Sequence, residues 1–145
     1  MTFATVPHSV IALVIYALWA IALALMVAAD RTLMVMGGKA KLTDFTPGTQ
    51  HGTESYWRIN RAQANTAENL AIFAAIVLSG WVAGQESHLF NLLAVIVVIF
   101  RVIQSFIHMM SGSTFAIQMR FGAFAVQVVC EIWMAVLVLM TANVI

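Results

Sequence analysis

The chain has 145 residues, of which 62% are hydrophobic and only 9% are charged. Because an average soluble domain carries about 25% charged residues, this composition excludes an ordinary soluble enzyme and a disordered tail, and it indicates an integral membrane protein. The net charge of +1 and the single cysteine, Cys130, give no reason to expect a nucleic-acid partner, a disulfide scaffold or a metal site.

Four apolar stretches follow one another along the chain, each at least as long as the roughly 20 residues that a membrane-spanning helix needs. The predicted helices lie at about residues 8–30, 56–84, 88–110 and 115–143. The sequence therefore predicts a single all-α domain over residues 1–145, a bundle of four transmembrane helices in contact with membrane lipids.

Charged residues and turn-forming residues mark the breaks between these helices. Asp30 and Arg31 end the first apolar run, and the polar segment 37–55, which contains Pro47, is predicted to be a loop. Residues 84–87 form a tight turn between helices 2 and 3. Helices 2 and 3 are therefore expected to form an antiparallel hairpin.

The basic residues predict the orientation of this bundle in the membrane. All seven flank the loops between helices 1 and 2 or between helices 3 and 4: Arg31, Lys39, Lys41, Arg58, Arg61, Arg101 and Arg120. By the positive-inside rule these loops face the cytoplasm. Both termini are then expected on the opposite side.

Polar residues inside the membrane-spanning segments are candidate functional groups, because hydrocarbon does not solvate them. On helix 2 such residues lie on one face at spacings of 3, 4 and 3: Arg58, Arg61, Asn65 and Glu68. On helix 3 they have spacings of 3 and 4: Arg101, Gln104 and His108. Each helix therefore carries a polar stripe.

The short turn predicts how the two stripes meet. A hairpin centred between residues 85 and 86 places residues whose numbers sum to about 171 at equal depth. Arg101 would then lie beside Glu68 and Asn69, and His108 level with Gln63. If these residues have only a structural role, Glu68 forms a buried ion pair with Arg61 or Arg101.

An ion pair leaves the remaining cations unexplained. Five arginines approach one depth with a single nearby carboxylate, Glu68, and this excess predicts an anionic ligand, either lipid headgroups or a soluble molecule rich in carboxylates. Glu131 stands apart, near the middle of helix 4. It is either a protonated, hydrogen-bonded packing residue or a group that handles protons or ligand.

The helix 2 stripe belongs to a longer pattern. The run from Arg58 to Glu68 reads Arg-Ile-Asn-Arg-Ala-Gln-Ala-Asn-Thr-Ala-Glu and is followed by Phe73. It resembles the signature of the MAPEG family, the membrane-associated proteins of eicosanoid and glutathione metabolism. Segments 81–84 (Trp-Val-Ala-Gly), 100–101 (Phe-Arg) and 118–120 (Gln-Met-Arg) are similar to the leukotriene-synthase branch of that family.

The resemblance implies a homotrimer that binds glutathione between neighbouring protomers, near the cytoplasmic side, with a lipophilic substrate entering from the bilayer. It implies that Arg120 stabilises the glutathione thiolate. It also implies a set of binding residues: Arg61, Asn65, Glu68, Arg58, Gln63, Asn69, Arg31 and Arg101. Gln104 and His108, which can donate hydrogen bonds from helix 3, are further candidates. Two carboxylates and one ammonium on glutathione match arginines plus one glutamate.

Departures from the leukotriene-synthase pattern argue against leukotriene synthesis itself. Asn69 replaces a tyrosine and Ala71 replaces a helix-kinking proline. Gln104 and His108 replace two tyrosines, and the stretch from Arg101 to Arg120 is about one helical turn longer. The thiol site therefore differs from that of the branch.

Three functions remain open on these residues. The first is an enzyme that transfers glutathione to a lipophilic electrophile, or that uses glutathione to reduce it. The second is a non-catalytic binding or scaffold protein on the same fold. The third is a small proton-coupled exporter that uses Glu68 or Glu131.

The charge distribution gives a testable orientation. A reporter fused after Ile145 should read as non-cytoplasmic, and one inserted near Thr46 as cytoplasmic, because all the basic residues flank the loops on one side. Protease protection of the two reporters in sealed vesicles measures this. The opposite pattern would overturn the predicted sidedness.

Overall fold

The computed structural model describes residues 6–46, 50 and 52–143. Within that part of the chain there are four long helices, α1 (His8–Met36), α2 (Glu54–Val82), α3 (His88–Met110) and α4 (Thr114–Thr141), with a short 3-10 helix at Leu42–Asp44. Each of the four is long and apolar enough to cross a membrane. The protein is therefore an all-α, multi-pass integral membrane protein, as predicted.

The first helix is longer than its predicted end near residue 30. It continues through Asp30 and Arg31 to Met36. The charged pair ends the apolar run, but charge does not break a helix, and no glycine or proline occurs between Arg31 and Gly37. Pro47 and the neighbouring residues 48, 49 and 51 of the predicted loop lie outside the described residues.

Side-chain caps begin the other three helices. The hydroxyl oxygens of Thr53, Ser87 and Ser113 each accept a hydrogen bond from the backbone N–H three residues later. Such bonds satisfy donors that a helix start leaves free. Consequently α2 begins two residues and α4 one residue before the predicted bounds.

The turn between α2 and α3 is built on a left-handed glycine. Gly84 has φ of +73°, a conformation that glycine adopts without steric cost. The backbone N–H of Gln85 donates to the carbonyl of Gly80 at 2.8 Å, and the backbone N–H of Gly84 donates to the carbonyl of Trp81 at 3.1 Å. These two bonds form the Schellman pattern of a helix end. The amide of Gln85 then donates to Leu137 O and to Thr141 Oγ1, which ties the turn to α4.

Contacts along α2 and α3 confirm the predicted hairpin register. The hydroxyl oxygens of Thr66 and Ser105 lie 3.3 Å apart, and these two residue numbers sum to 171. Nearer the turn, Gly80 lies directly against the ring of Phe90. Residues of the two polar stripes therefore reach the same depth.

The bundle is divided into an apolar end and a polar end. Around the α2–α3 turn the core consists of fully buried apolar side chains, among them Phe73, Phe90 and Met134. The start of α1 lies at this end, because the backbone N–H of Ser9 donates to Asn91 at 2.8 Å. Farther from the turn, polar residues replace this core, and the candidate site lies there.

Gly80 provides a test of the hairpin packing. A Cβ at this position would lie 2.5 Å from Cζ of Phe90, and the fully buried ring has no room to withdraw. Gly80→Ala should destabilise the protein by about 1–3 kcal/mol, the usual cost of overpacking. A thermal melt in detergent measures this.

Gly122→Ala is the matched control, because a Cβ there meets nothing within 4 Å. It should leave the melting temperature unchanged or raise it, since alanine favours helix. Equal melting temperatures for the two variants would contradict the packing described.

Candidate functional site

A cavity of about 390 Å³ opens between α2, α3 and α4 at the polar end of the bundle. This volume falls within the range of roughly 300–1,000 Å³ that is typical of small-molecule sites. Six of the predicted site residues line it: Arg61, Asn65, Glu68, Gln104, His108 and Arg120. The remaining lining residues are Ala64, Phe121 and Phe124.

Helix α2 presents one polar face to this cavity. Arg61, Asn65 and Glu68 are four and three residues apart, so they lie one above another on the helix. Asn69 supports this row, because its amide donates to the backbone carbonyl of Asn65 at 2.8 Å and to Asn65 Oδ1 at 3.2 Å. Asn69 thus orients a lining residue without lining the cavity itself.

Gln104 joins α3 to α4 at the wall of the cavity. Its Nε2 donates to the backbone carbonyl of Arg120 at 3.2 Å, and its Oε1 accepts from Nη1 of Arg101 at 2.9 Å. His108 follows one turn later on the same face of α3 and is half-buried. The α3 stripe therefore contributes two lining groups held next to the second turn of α4.

Helix α4 contributes a cation and an aromatic surface. Arg120 is partly buried, whereas Phe121 beside it is largely exposed on the protomer surface. Phe124 lines the cavity one turn after Arg120. The lining of the cavity thus combines charged and amide groups with two aromatic side chains.

The charges of the cavity are not paired with one another. Arg61 and Arg120 supply two cations and Glu68 one carboxylate, and Glu68 forms no salt bridge with any residue in the described ranges. The reading in which Glu68 pairs with Arg61 or Arg101 is therefore wrong for this structure. All three groups are free to meet a ligand.

Three other predicted site residues lie away from this cavity. Arg58 forms a salt bridge with Glu54 at 2.7 Å, one turn earlier on α2. Nε of Arg31 donates to the hydroxyl of Tyr56 at 2.7 Å, and its guanidinium lies 5.3 Å from the ring centroid of Phe45. Gln63 lies on α2 and is half-buried.

Arg101 does not reach Glu68, contrary to the sequence-based expectation. It is 1% exposed, and its guanidinium lies 5.7 Å from the ring centroid of Tyr16 on α1. Equal depth along two helices does not determine direction, and this side chain packs towards α1 and α4. Arg101 therefore acts on the cavity only through Gln104.

Two buried polar residues near the site were not identified from the sequence. Nε2 of Gln127 on α4 donates to Oε1 of Gln104 at 3.2 Å, and the hydroxyl of Tyr16 donates to the carbonyl of Thr66 at 3.3 Å. A glutamine four residues before Glu131 in an apolar helix was itself a signal, because both lie on one face of α4.

Comparison with known proteins identifies the family of the chain. A model of the MAPEG family matches residues 9–140, which is nearly the whole chain. The chain belongs to the MAPEG family. Membership supports a membrane protein of glutathione or eicosanoid metabolism in a family that includes glutathione transferases and also non-catalytic members. A search of curated proteins finds no match.

Proposed function

We propose that this MAPEG protein is a membrane-bound, glutathione-dependent enzyme that adds the thiol to a lipophilic electrophile, or uses it to reduce a lipophilic peroxide. One observation carries the proposal: the same cavity combines Arg61, Asn65 and Glu68 of α2 with Arg120 of α4. These are the residues that the family resemblance assigned to the peptide and to the sulfur of glutathione.

The polar side of the cavity complements the peptide part of glutathione. Glutathione has two carboxylates and one ammonium. The cavity offers the guanidinium of Arg61 to one carboxylate and the carboxylate of Glu68 to the ammonium, and the second carboxylate is left for an arginine of a neighbouring copy. Charge-assisted hydrogen bonds of this kind are among the strongest in proteins. Glu68 would accept from the ammonium, Arg61 would bind a carboxylate, and the amide of Asn65 would hydrogen-bond the peptide.

Arg120 is the group that we assign to the thiol. A free thiol with a pKa near 8.5 is mostly protonated at neutral pH, and a fixed positive charge beside it favours the thiolate. A guanidinium keeps its own proton, so the thiol proton passes to water when glutathione binds. The resulting thiolate then forms the S–C bond with the electrophile, and either the leaving group departs with the bonding electrons or the adduct takes up a proton from water. Phe121 and Phe124 offer an apolar surface next to this point.

We further propose that the active form is a homotrimer with helix α2 towards the axis. Arg61 and Glu68 are exposed on the single protomer although they belong to an apolar helix. Lipid-facing charges are expensive, so a second copy is expected to cover this face. Arg31, Arg58 and Gln63 would then contribute to glutathione binding across the interface between copies.

A binding or scaffold role is the alternative that one observation favours. Gln104 is hydrogen-bonded to Arg101, Gln127 and the Arg120 carbonyl. It therefore has little freedom to donate a hydrogen bond to the ligand in place of the tyrosine hydroxyl of the leukotriene-synthase pattern.

A proton-coupled exporter is less well supported. Such a protein would need a carboxylate remote from cations, whereas Glu131 lies one turn after Gln127, whose amide shares the acceptor Oε1 of Gln104 with Arg101.

Glu68→Gln tests recognition of the ammonium. The change keeps the shape and removes the charge, so affinity for glutathione should fall by about 1–3 kcal/mol, the scale of a charge-assisted hydrogen bond. Calorimetry in detergent measures the affinity, and native mass spectrometry should still show a trimer. Glu86→Gln, at the exposed turn of the opposite end, is the control. Loss of assembly with unchanged binding per trimer would show that Glu68 is structural.

Arg120→Ala tests the assignment of the thiol. Binding of glutathione should stay within a few-fold, because α2 holds the peptide, whereas turnover with a generic aromatic electrophile should fall by about 10²–10³. The ultraviolet absorbance of the bound thiolate should fall with it. Lys39→Ala removes a loop cation as the control.

Two results would contradict this assignment. If thiolate and turnover survive in Arg120→Ala but are lost in Arg101→Ala, the longer stretch between these residues has moved the role to α3. If neither change matters and no thiolate forms in the unmodified protein, the cavity belongs to a binding protein rather than an enzyme.

A further inference from the structure

Behind the cavity lies a cluster of buried polar side chains that the proposed function does not use. Arg101 of α3 and Gln127 of α4 are each 1% exposed, and Glu131 of α4 is 6% exposed. Gln127 and Glu131 are one turn apart, so they lie on one face of α4. A cation, an amide and a carboxylate are thus enclosed between two apolar helices.

Only some polar atoms of this cluster have a partner. Oε1 of Gln104 accepts from Nη1 of Arg101 at 2.9 Å and from Nε2 of Gln127 at 3.2 Å. Because both donors share one acceptor, the guanidinium of Arg101 and the amide of Gln127 lie close together. Nε2 of Gln127 also donates to the carbonyl of Ala123 at 2.9 Å.

Four buried atoms of the cluster make no hydrogen bond within the described residues. They are Nε and Nη2 of Arg101, Oε1 of Gln127 and Oε1 of Glu131. The two arginine atoms are donors and the two oxygens are acceptors. Buried groups of this kind are almost always satisfied by protein or by ordered water, and a water molecule can accept from two donors and donate to two acceptors.

The charges point to the same arrangement. A guanidinium does not lose its proton, and a buried cation without a counter-charge is strongly destabilising. No direct salt bridge of 4.0 Å or less joins Arg101 to Glu131 among the described residues. A bridging molecule would complete the pair.

We propose that Arg101 and Glu131 form a buried, water-mediated charge pair that also binds Oε1 of Gln127. The pair links α3 to α4 behind the cavity. It makes Glu131 a positioning residue, because Glu131 fixes the guanidinium of Arg101, and Arg101 in turn holds Gln104 at the cavity wall. Its ligand is one or two ordered waters.

A double-mutant cycle tests the charge pair. Glu131→Gln and Arg101→Gln should each lower the melting temperature in detergent, by about 10 °C, because each leaves one buried charge alone. The double variant should lose clearly less than the sum of the two. Glu86→Gln, which removes an exposed carboxylate, should change little. Additive losses would overturn the pair.

The water bridge has a separate test on the unmodified protein. An experimental structure that resolves ordered waters should show density within hydrogen-bond distance of Arg101 and Glu131. Direct contact between the two side chains, or no density between them, would overturn the water bridge. This test uses the unmodified protein, so it does not depend on whether the variants of the double-mutant cycle fold.

A third measurement separates positioning from stability, and it rests on the proposed function. Glu131→Gln should weaken glutathione binding by about tenfold, through release of Gln104. Gly80→Ala, which is destabilised at the opposite end of the bundle, should bind normally. Equal weakening in both variants would refute the positioning role. If the unmodified protein does not bind glutathione, the proposed function is refuted. The charge pair is then tested by the double-mutant cycle alone.

Discussion

Charged side chains inside apolar helices must find partners within the protein, because hydrocarbon offers none. This constraint governs the polar end of the bundle. Arg101 is enclosed between Tyr16 and Gln104, whereas Arg61 and Glu68 remain exposed on the protomer surface. The first arrangement lies inside one copy of the chain, and the second is the reason for proposing a ligand and a neighbouring copy.

The apolar end supports this arrangement by fixing the helices in register. The left-handed Gly84 and the close contact of Gly80 with Phe90 determine how α2 and α3 pair at the turn. The hydroxyl groups of Thr66 and Ser105 meet midway along the hairpin. Since helices are stiff, a register that is fixed near the turn also fixes the depth at which the two polar stripes meet. On each helix the stripe begins 16 residues from the turn, at Glu68 counted from Gly84 and at Arg101 counted from Gln85.

Family membership and the cavity support different parts of the functional conclusion. Membership places the chain among membrane proteins of glutathione or eicosanoid metabolism. The cavity adds a chemical reason for glutathione in particular, because it combines two cations, one unpaired carboxylate and an aromatic surface. The amide of Gln104 and the imidazole of His108 at its wall distinguish this chain from the leukotriene-synthase pattern.

The sequence by itself determined the helix number, the hairpin register and six of the residues that line the cavity. These follow from hydropathy and helical periodicity, which are properties of each segment and its turn. It misplaced the end of α1, because a charged pair ends a membrane span without ending a helix. Only the tertiary structure decided that Arg101 turns away from Glu68, that Glu68 stays unpaired, and that Gln127 and Tyr16 join the polar core. Periodicity gives the face on which a side chain lies, but the helix that this face meets depends on how all four helices pack together.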